Sequence, residues 1–141
     1  MRAVLDTNVL ISGLLWRGAP HRCLLAAEGK LYELLLSEPI FLELHEKLTL
    51  KFGHTADEAA GIIAGIRGGA TLVSIAGRHA WVPADPHDDK FVETAIEGHA
   101  DLIVSGDHHL LDLGSVEGIA VISPRQFIDF LAANHPPELN G

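Results

Sequence analysis

Four acidic residues of this chain, Asp6, Glu43, Asp89 and Asp107, stand beside apolar runs in a way that suggests shared chemistry. Asp6 closes the run Arg2 to Leu5. Glu43 lies inside Phe41-Leu42-Glu43-Leu44. Asp89 opens the stretch Lys90-Phe91-Val92, and Asp107 ends Ile103-Val104-Ser105-Gly106. Four negative charges in one crevice repel, and are stable together only if protons or cations neutralise them. Carboxylate oxygens with neither Cys nor an obligatory His select Mg²⁺ or Mn²⁺ over Zn²⁺. Such an ion suits hydrolysis of a phosphodiester: it polarises the phosphate and lowers the pKa of an attacking water. Asn8 and Ser105 supply hydrogen bonds that orient water or phosphate.

The elements that must position these residues follow from the apolar pattern. Arg2 to Leu5 reads as a buried strand that breaks into Asp6-Thr7-Asn8, residues that favour turns and helix caps. Short helices are expected over Val9 to Leu14 and His21 to Glu28. Strand two is Tyr32 to Leu36, followed by a helix capped by Ser37 with Ile40, Phe41, Leu44 and Leu48 inward. Ala56 to Ile66 is a helix and Thr71 to Ile75 a third strand. Ala76 to Asp88 reads as a loop and Lys90 to Gly98 as a helix. Leu102 to Val104 is strand four, and Leu110-Leu111 lie on a helical turn. Ile119 to Ile122 is strand five, and Ser123-Pro124 starts a last helix running to about Ala133. Strands separated by helices make βαβ units, hence a mainly parallel sheet covered on both faces. In such sheets ligands bind beyond the carboxyl ends of the strands, where Asp6 and Asp107 would project. Glu43 sits about 100° round its helix from Leu44, on the edge of the apolar stripe.

At 141 residues, 48% hydrophobic and 21% charged, the chain is expected to form one domain over 1–134 with a frayed tail over 135–141. Its net charge of −9 argues against a general basic nucleic-acid binder, although a bound cation and a local basic rim would offset the repulsion. Lys47, Lys51 and Lys90 are the candidates for that rim; an ordinary solvated face is the competing reading. The single cysteine, Cys23, points to an intracellular, cytoplasmic setting, and neither a signal peptide nor a membrane span is read. Nine histidines form no HxxxH or Cys/His set. His87 and His108-His109 fall near the crevice as substrate contacts or, more simply, polar surface. Trp16 and Trp81 are expected to cover the edge of the core.

In their order along the chain, Val4-Leu5-Asp6-Thr7-Asn8-Val9-Leu10, Glu43, Asp88-Asp89-Lys90-Phe91 and Ile103-Val104-Ser105-Gly106-Asp107 resemble a PIN domain, as found in PIN-family toxins of prokaryotic toxin–antitoxin modules. The resemblance implies a three-layer α/β/α sandwich with a five-stranded parallel sheet in the order 3-2-1-4-5. It also implies a Mg²⁺- or Mn²⁺-dependent endoribonuclease acting on RNA, a small antitoxin partner, and self-association as a homodimer. Asp6, Glu43, Asp89 and Asp107 match the family's acidic quartet, and Asn8 and Ser105 its polar helpers. Two readings of the fifth helix's start stay open: Asp85-Pro86 as cap with Asp88 as its partner, or Asp88 as cap with Asp89 as ligand. Helix phase against Phe91, Val92 and Ala95 is taken to favour Asp89 over Asp88. The rivals are a catalytically idle PIN-fold interaction module, a haloacid-dehalogenase-like phosphatase and a receiver-like domain. The phosphatase needs a second Asp where Asn8 stands.

Overall fold

Alternation of strand and helix runs through the whole computed structural model, which describes residues 1–77, 82 and 85–134. The elements are β1 (Arg2–Leu5), α1 (Thr7–Leu15), α2 (Ala19–Glu28), β2 (Glu33–Leu36), α3 (Glu38–Glu46), α4 (Ala56–Gly68), β3 (Ala70–Leu72), α5 (Asp89–Glu97), β4 (Leu102–Val104), α6 (His108–Leu111), β5 (Ser115–Val116), β6 (Ile119–Ile122) and α7 (Pro124–Asn134). A π-helical turn, Lys47–Lys51, continues α3, and a 3₁₀ turn, Pro86–Asp88, leads into α5. No helix among the described residues is long and apolar enough to cross a membrane.

The sheet order is β3-β2-β1-β4-β6-β5. β1 is central because its apolar residues are covered on both faces: Ala3, Val4 and Leu5 are all fully buried. It pairs in parallel with β2 (Val4 opposite Leu35) and with β4 (Leu5 opposite Val104). The five parallel strands keep the expected order. The sixth, β5, is a short antiparallel addition to β6 across Glu117-Gly118, whose φ values of 50° and 79° give the twist a two-residue hairpin needs. β3 ends at Leu72, not Ile75, because its ladder partner among the described residues, β2, ends at Leu36.

Two local features aim side chains at the carboxyl edge of the sheet. The Asp6 N–H still pairs with the Val104 carbonyl at 3.1 Å, so Asp6 leaves β1 in ladder geometry, and its Oδ1 then caps α1 by accepting the Val9 N–H at 2.8 Å. Where α3 widens into its π turn, the Thr49 hydroxyl bonds the carbonyls of His45 (2.9 Å) and Glu46 (3.1 Å), which competes with regular α-helical pairing. Lys47 opens that turn.

Candidate active site

At the carboxyl ends of β1 and β4 the chain turns twice into helix N-termini, and both caps are acidic. Asp6 is 2% exposed and Ser105 fully buried. The Ser105 hydroxyl donates to Asp6 Oδ2 in a short hydrogen bond and accepts the Asp107 N–H at 2.9 Å. One serine thus ties the two strand tips together. Asp107 caps α6 by accepting the His109 N–H at 2.8 Å.

The third acid at this edge is Asp88, and not Asp89 as helix phase was taken to favour. Carboxylate oxygens of Asp85, Asp88 and Asp107 lie within 4.8 Å of one another, and Asp88 is buried. Asp89 turns elsewhere: its Oδ1 accepts the Val82 N–H at 2.6 Å, beside Pro86, His87 and Glu93. The physical reason is visible in the spacing. Asp88 precedes Phe91, Val92 and Ala95 by three, four and seven residues and so shares their buried face; Asp89 is rotated about 100° away. Asp85, weighed from sequence only as a cap, does cap the 3₁₀ turn through the His87 N–H (3.1 Å) and also joins the acidic group. An Asp-Pro-x-Asp spacing opening a helix was the available signal.

Glu43 stands at the neighbouring rim. Its Oε1 accepts the Thr7 hydroxyl at 2.5 Å and faces Lys90 Nζ at 3.3 Å, while Oε2 faces Lys47 Nζ at 3.8 Å. Lys47 also donates to Asn8 Oδ1 at 2.9 Å. Among the described residues, neither Asp6 nor Glu43 belongs to a group of three ligand atoms within 4.8 Å. Asp6 joins the acids through Ser105, and Glu43 reaches them through Thr7, the residue next to Asp6. Lys47 and Lys90 fall where the basic rim was expected; Lys51 instead stands over the Phe52 ring at 5.6 Å. Trp16 is largely exposed, with its edge on Phe52 at 5.9 Å. Trp81 and the tail over 135–141 lie outside the described residues.

The electrostatics are those of crowded acids. Burial pushes the Asp6 carboxyl up to about 6; the Asp107 charge adds to this, against the pull of Ser105, Val9 and Lys47. Asp88 is driven well above the carboxylate range, first by burial, then by its hydrogen bond to Asp107 and the charges of Asp107, Asp85 and Asp6. For Asp107 the largest influence, burial, opposes ionisation. The His109 N–H, Asp88, and the His109 and His108 rings together outweigh it and hold the carboxyl below its usual value. The two carboxyls thus move in opposite directions, each acting on the other.

One atom tests whether a cation fits. Asp88 Oδ2 is buried and has no hydrogen-bond partner among the described residues, although buried polar atoms are almost always satisfied. Asp88 belongs to an all-oxygen donor set with Asp85 and Asp107, so a hard divalent cation fits the residues present.

No curated protein matches the chain. A family model described as a PIN domain matches residues 2–109, well over half of the chain, so the chain belongs to the PIN-domain family, whose members are in general nucleases.

Proposed function

We propose that the protein is a Mg²⁺- or Mn²⁺-dependent endoribonuclease, working in the cytoplasm as the toxin of a toxin–antitoxin module. The observation that carries this is the grouping of Asp85, Asp88 and Asp107 carboxylate oxygens within 4.8 Å at the carboxyl edge of a parallel sheet, where Asp88 also keeps a buried oxygen without a partner among the described residues. Asp88 and Asp107 hold the cation, with Asp85 and Asp6 completing the negative field. Bound there, a divalent cation supplies Lewis-acid polarisation of the scissile phosphate and makes a water acidic enough to attack at neutral pH. Ser105 fixes the Asp6 and Asp107 carboxyl groups in one orientation. Glu43, steadied by Thr7, accepts a hydrogen bond from the attacking water. Lys47 and Lys90 bring positive charge to an otherwise acidic crevice and receive the RNA phosphates; Asn8, bonded to Lys47, orients that amine. A small antitoxin protein and a homodimer are part of the same reading.

The test is cleavage of labelled RNA, with single-stranded DNA alongside, after stripping with EDTA and adding back Mg²⁺ or Mn²⁺. Loss of a residue supporting a metal ligand typically costs about 10–100-fold, so Asp88→Asn and Asp6→Asn should each lower the rate by more than ~10-fold. Asp89→Asn should stay within about tenfold of wild type, since its carboxylate serves the Val82 N–H. Full RNA cleavage by Asp88→Asn, or cleavage in EDTA, would overturn the proposal. Preference for DNA would reassign the substrate and remove the toxin reading with it.

A further inference from the structure

Beyond the all-oxygen set, Asp107 faces a second group of donors. One ligand atom each from Asp107, His108 and His109 lies within 4.8 Å of the others. The two imidazoles are held together, with ring centroids 4.1 Å apart and planes tilted by 40°. The short helix α6 that carries them is fixed by its cap and its core contact. Asp107 caps it through the His109 N–H, and Leu110 is fully buried beneath it. His108 is exposed and His109 and Asp107 partly so, which leaves the donors open to solvent. Asp107 also lies with Asp88 in the carboxylate group, one oxygen of each within 4.8 Å.

From this geometry we infer that Asp107, His108 and His109 form a nitrogen-bearing site for a borderline divalent ion of the Zn²⁺ or Co²⁺ class, adjoining the carboxylate site and sharing Asp107 with it. Donor chemistry separates the two sets. Mg²⁺ prefers oxygen and sheds water reluctantly, so imidazoles offer it little, whereas Zn²⁺ and Co²⁺ bind imidazole well. Two rings plus a carboxylate leave coordination positions for solvent, as in open rather than closed metal sites. The site shares one carboxylate with the proposed nuclease centre and otherwise does not depend on that reading.

The experiment is a Co²⁺ titration of the metal-stripped full-length chain, followed by visible absorbance, with Zn²⁺ measured by competition against a chromophoric chelator. His108→Gln, His109→Gln and the double variant are compared with wild type. The side chains changed are on the surface or half-buried, and circular dichroism checks the fold. Each single change should weaken Co²⁺ and Zn²⁺ binding by about tenfold or more and alter the Co²⁺ spectrum, while the Mg²⁺-induced thermal shift changes by less than about twofold. In wild type loaded with Co²⁺, proton NMR should show exchangeable, strongly shifted imidazole N–H resonances that both single variants lose in part. Unchanged Co²⁺ affinity and spectrum in the double variant would overturn the inference. A His-dependent Co²⁺ site in a protein with no Mg²⁺ response would sustain it and sink the nuclease proposal instead.

Discussion

Replacing Asp6 by Asn keeps the shape of the side chain and removes a buried charge. The amide oxygen still accepts the Val9 N–H that caps α1. The amide nitrogen now faces the Ser105 hydroxyl oxygen, which already accepts from Asp107, so the hydroxyl proton must find another acceptor. That exchange costs about 1 kcal/mol. Against it stands the relief of a carboxyl pushed from 3.8 to about 6 by burial. At pH 7 such a shift destabilises the fold by about 3 kcal/mol. The metal-free variant should therefore be more stable than wild type by about 2 kcal/mol, roughly 6 °C in Tm for a chain of this size. The sign follows from the direction of the shift. A carboxyl whose pKa is raised by folding favours the native state fully below pH 4, and that contribution is lost as pH rises through 6. The variant should thus be slightly less stable than wild type near pH 4, cross over, and lead by pH 7. Thermal denaturation in EDTA across this window reads the effect. Mn²⁺ at about 100 times its Kd should then add about 2.7 kcal/mol to wild type, with a smaller gain in the variant, so that its lead disappears. A variant less stable than wild type at pH 7 in EDTA, or a difference that does not change with pH, would refute the electrostatic account.

Two structural predictions follow from packing alone. Gly13 lies where α1 crosses α2, and a Cβ there would meet the Pro20 carbonyl oxygen at 2.7 Å and Leu24 Cδ1 at 2.8 Å. Gly13→Ala should therefore destabilise the protein by about 1–3 kcal/mol in chemical denaturation despite the helix preference of alanine; a neutral or stabilising outcome would mean that the two helices separate freely. Cys23 is fully buried, and burial pushes its thiol up to about 12. It should resist a thiol-modifying reagent in the native state and react at once in denaturant; rapid native labelling would show that α2 opens away from the core.

The strand order was legible because each parallel strand is an unbroken apolar run ending in turn-forming polar residues, as in Leu5-Asp6-Thr7 and Val104-Ser105-Gly106. β5 was not, since a two-residue strand has no periodicity of its own and exists only because Glu117-Gly118 folds it back on β6. In the site, Asp6, Asp107 and Ser105 were readable from their place at strand tips. Asp88 was obscured by Asp89 beside it, and counting by three, four and seven from Phe91, Val92 and Ala95 separates them. The pairing of Thr7 with Glu43 crosses 36 positions of sequence, and no local pattern announces it.

That long-range pairing also bears on how a chain of net charge −9 could offer RNA the phosphate-binding edge proposed above. The acids fall into two differently compensated groups. Glu43 faces two lysines, Lys47 and Lys90, and so has its own counter-charges at the rim. Asp88 and Asp6 face other acids, and burial drives both toward the protonated state. On the proposed function, a cation among the second group would displace protons, whereas a phosphate at the first would exchange with Glu43 on the lysines. Lys47 links the two, donating to Asn8 while its charge acts on Asp6. The division of labour at this edge is thus set by which carboxylates the fold leaves beside lysines and which it leaves beside one another.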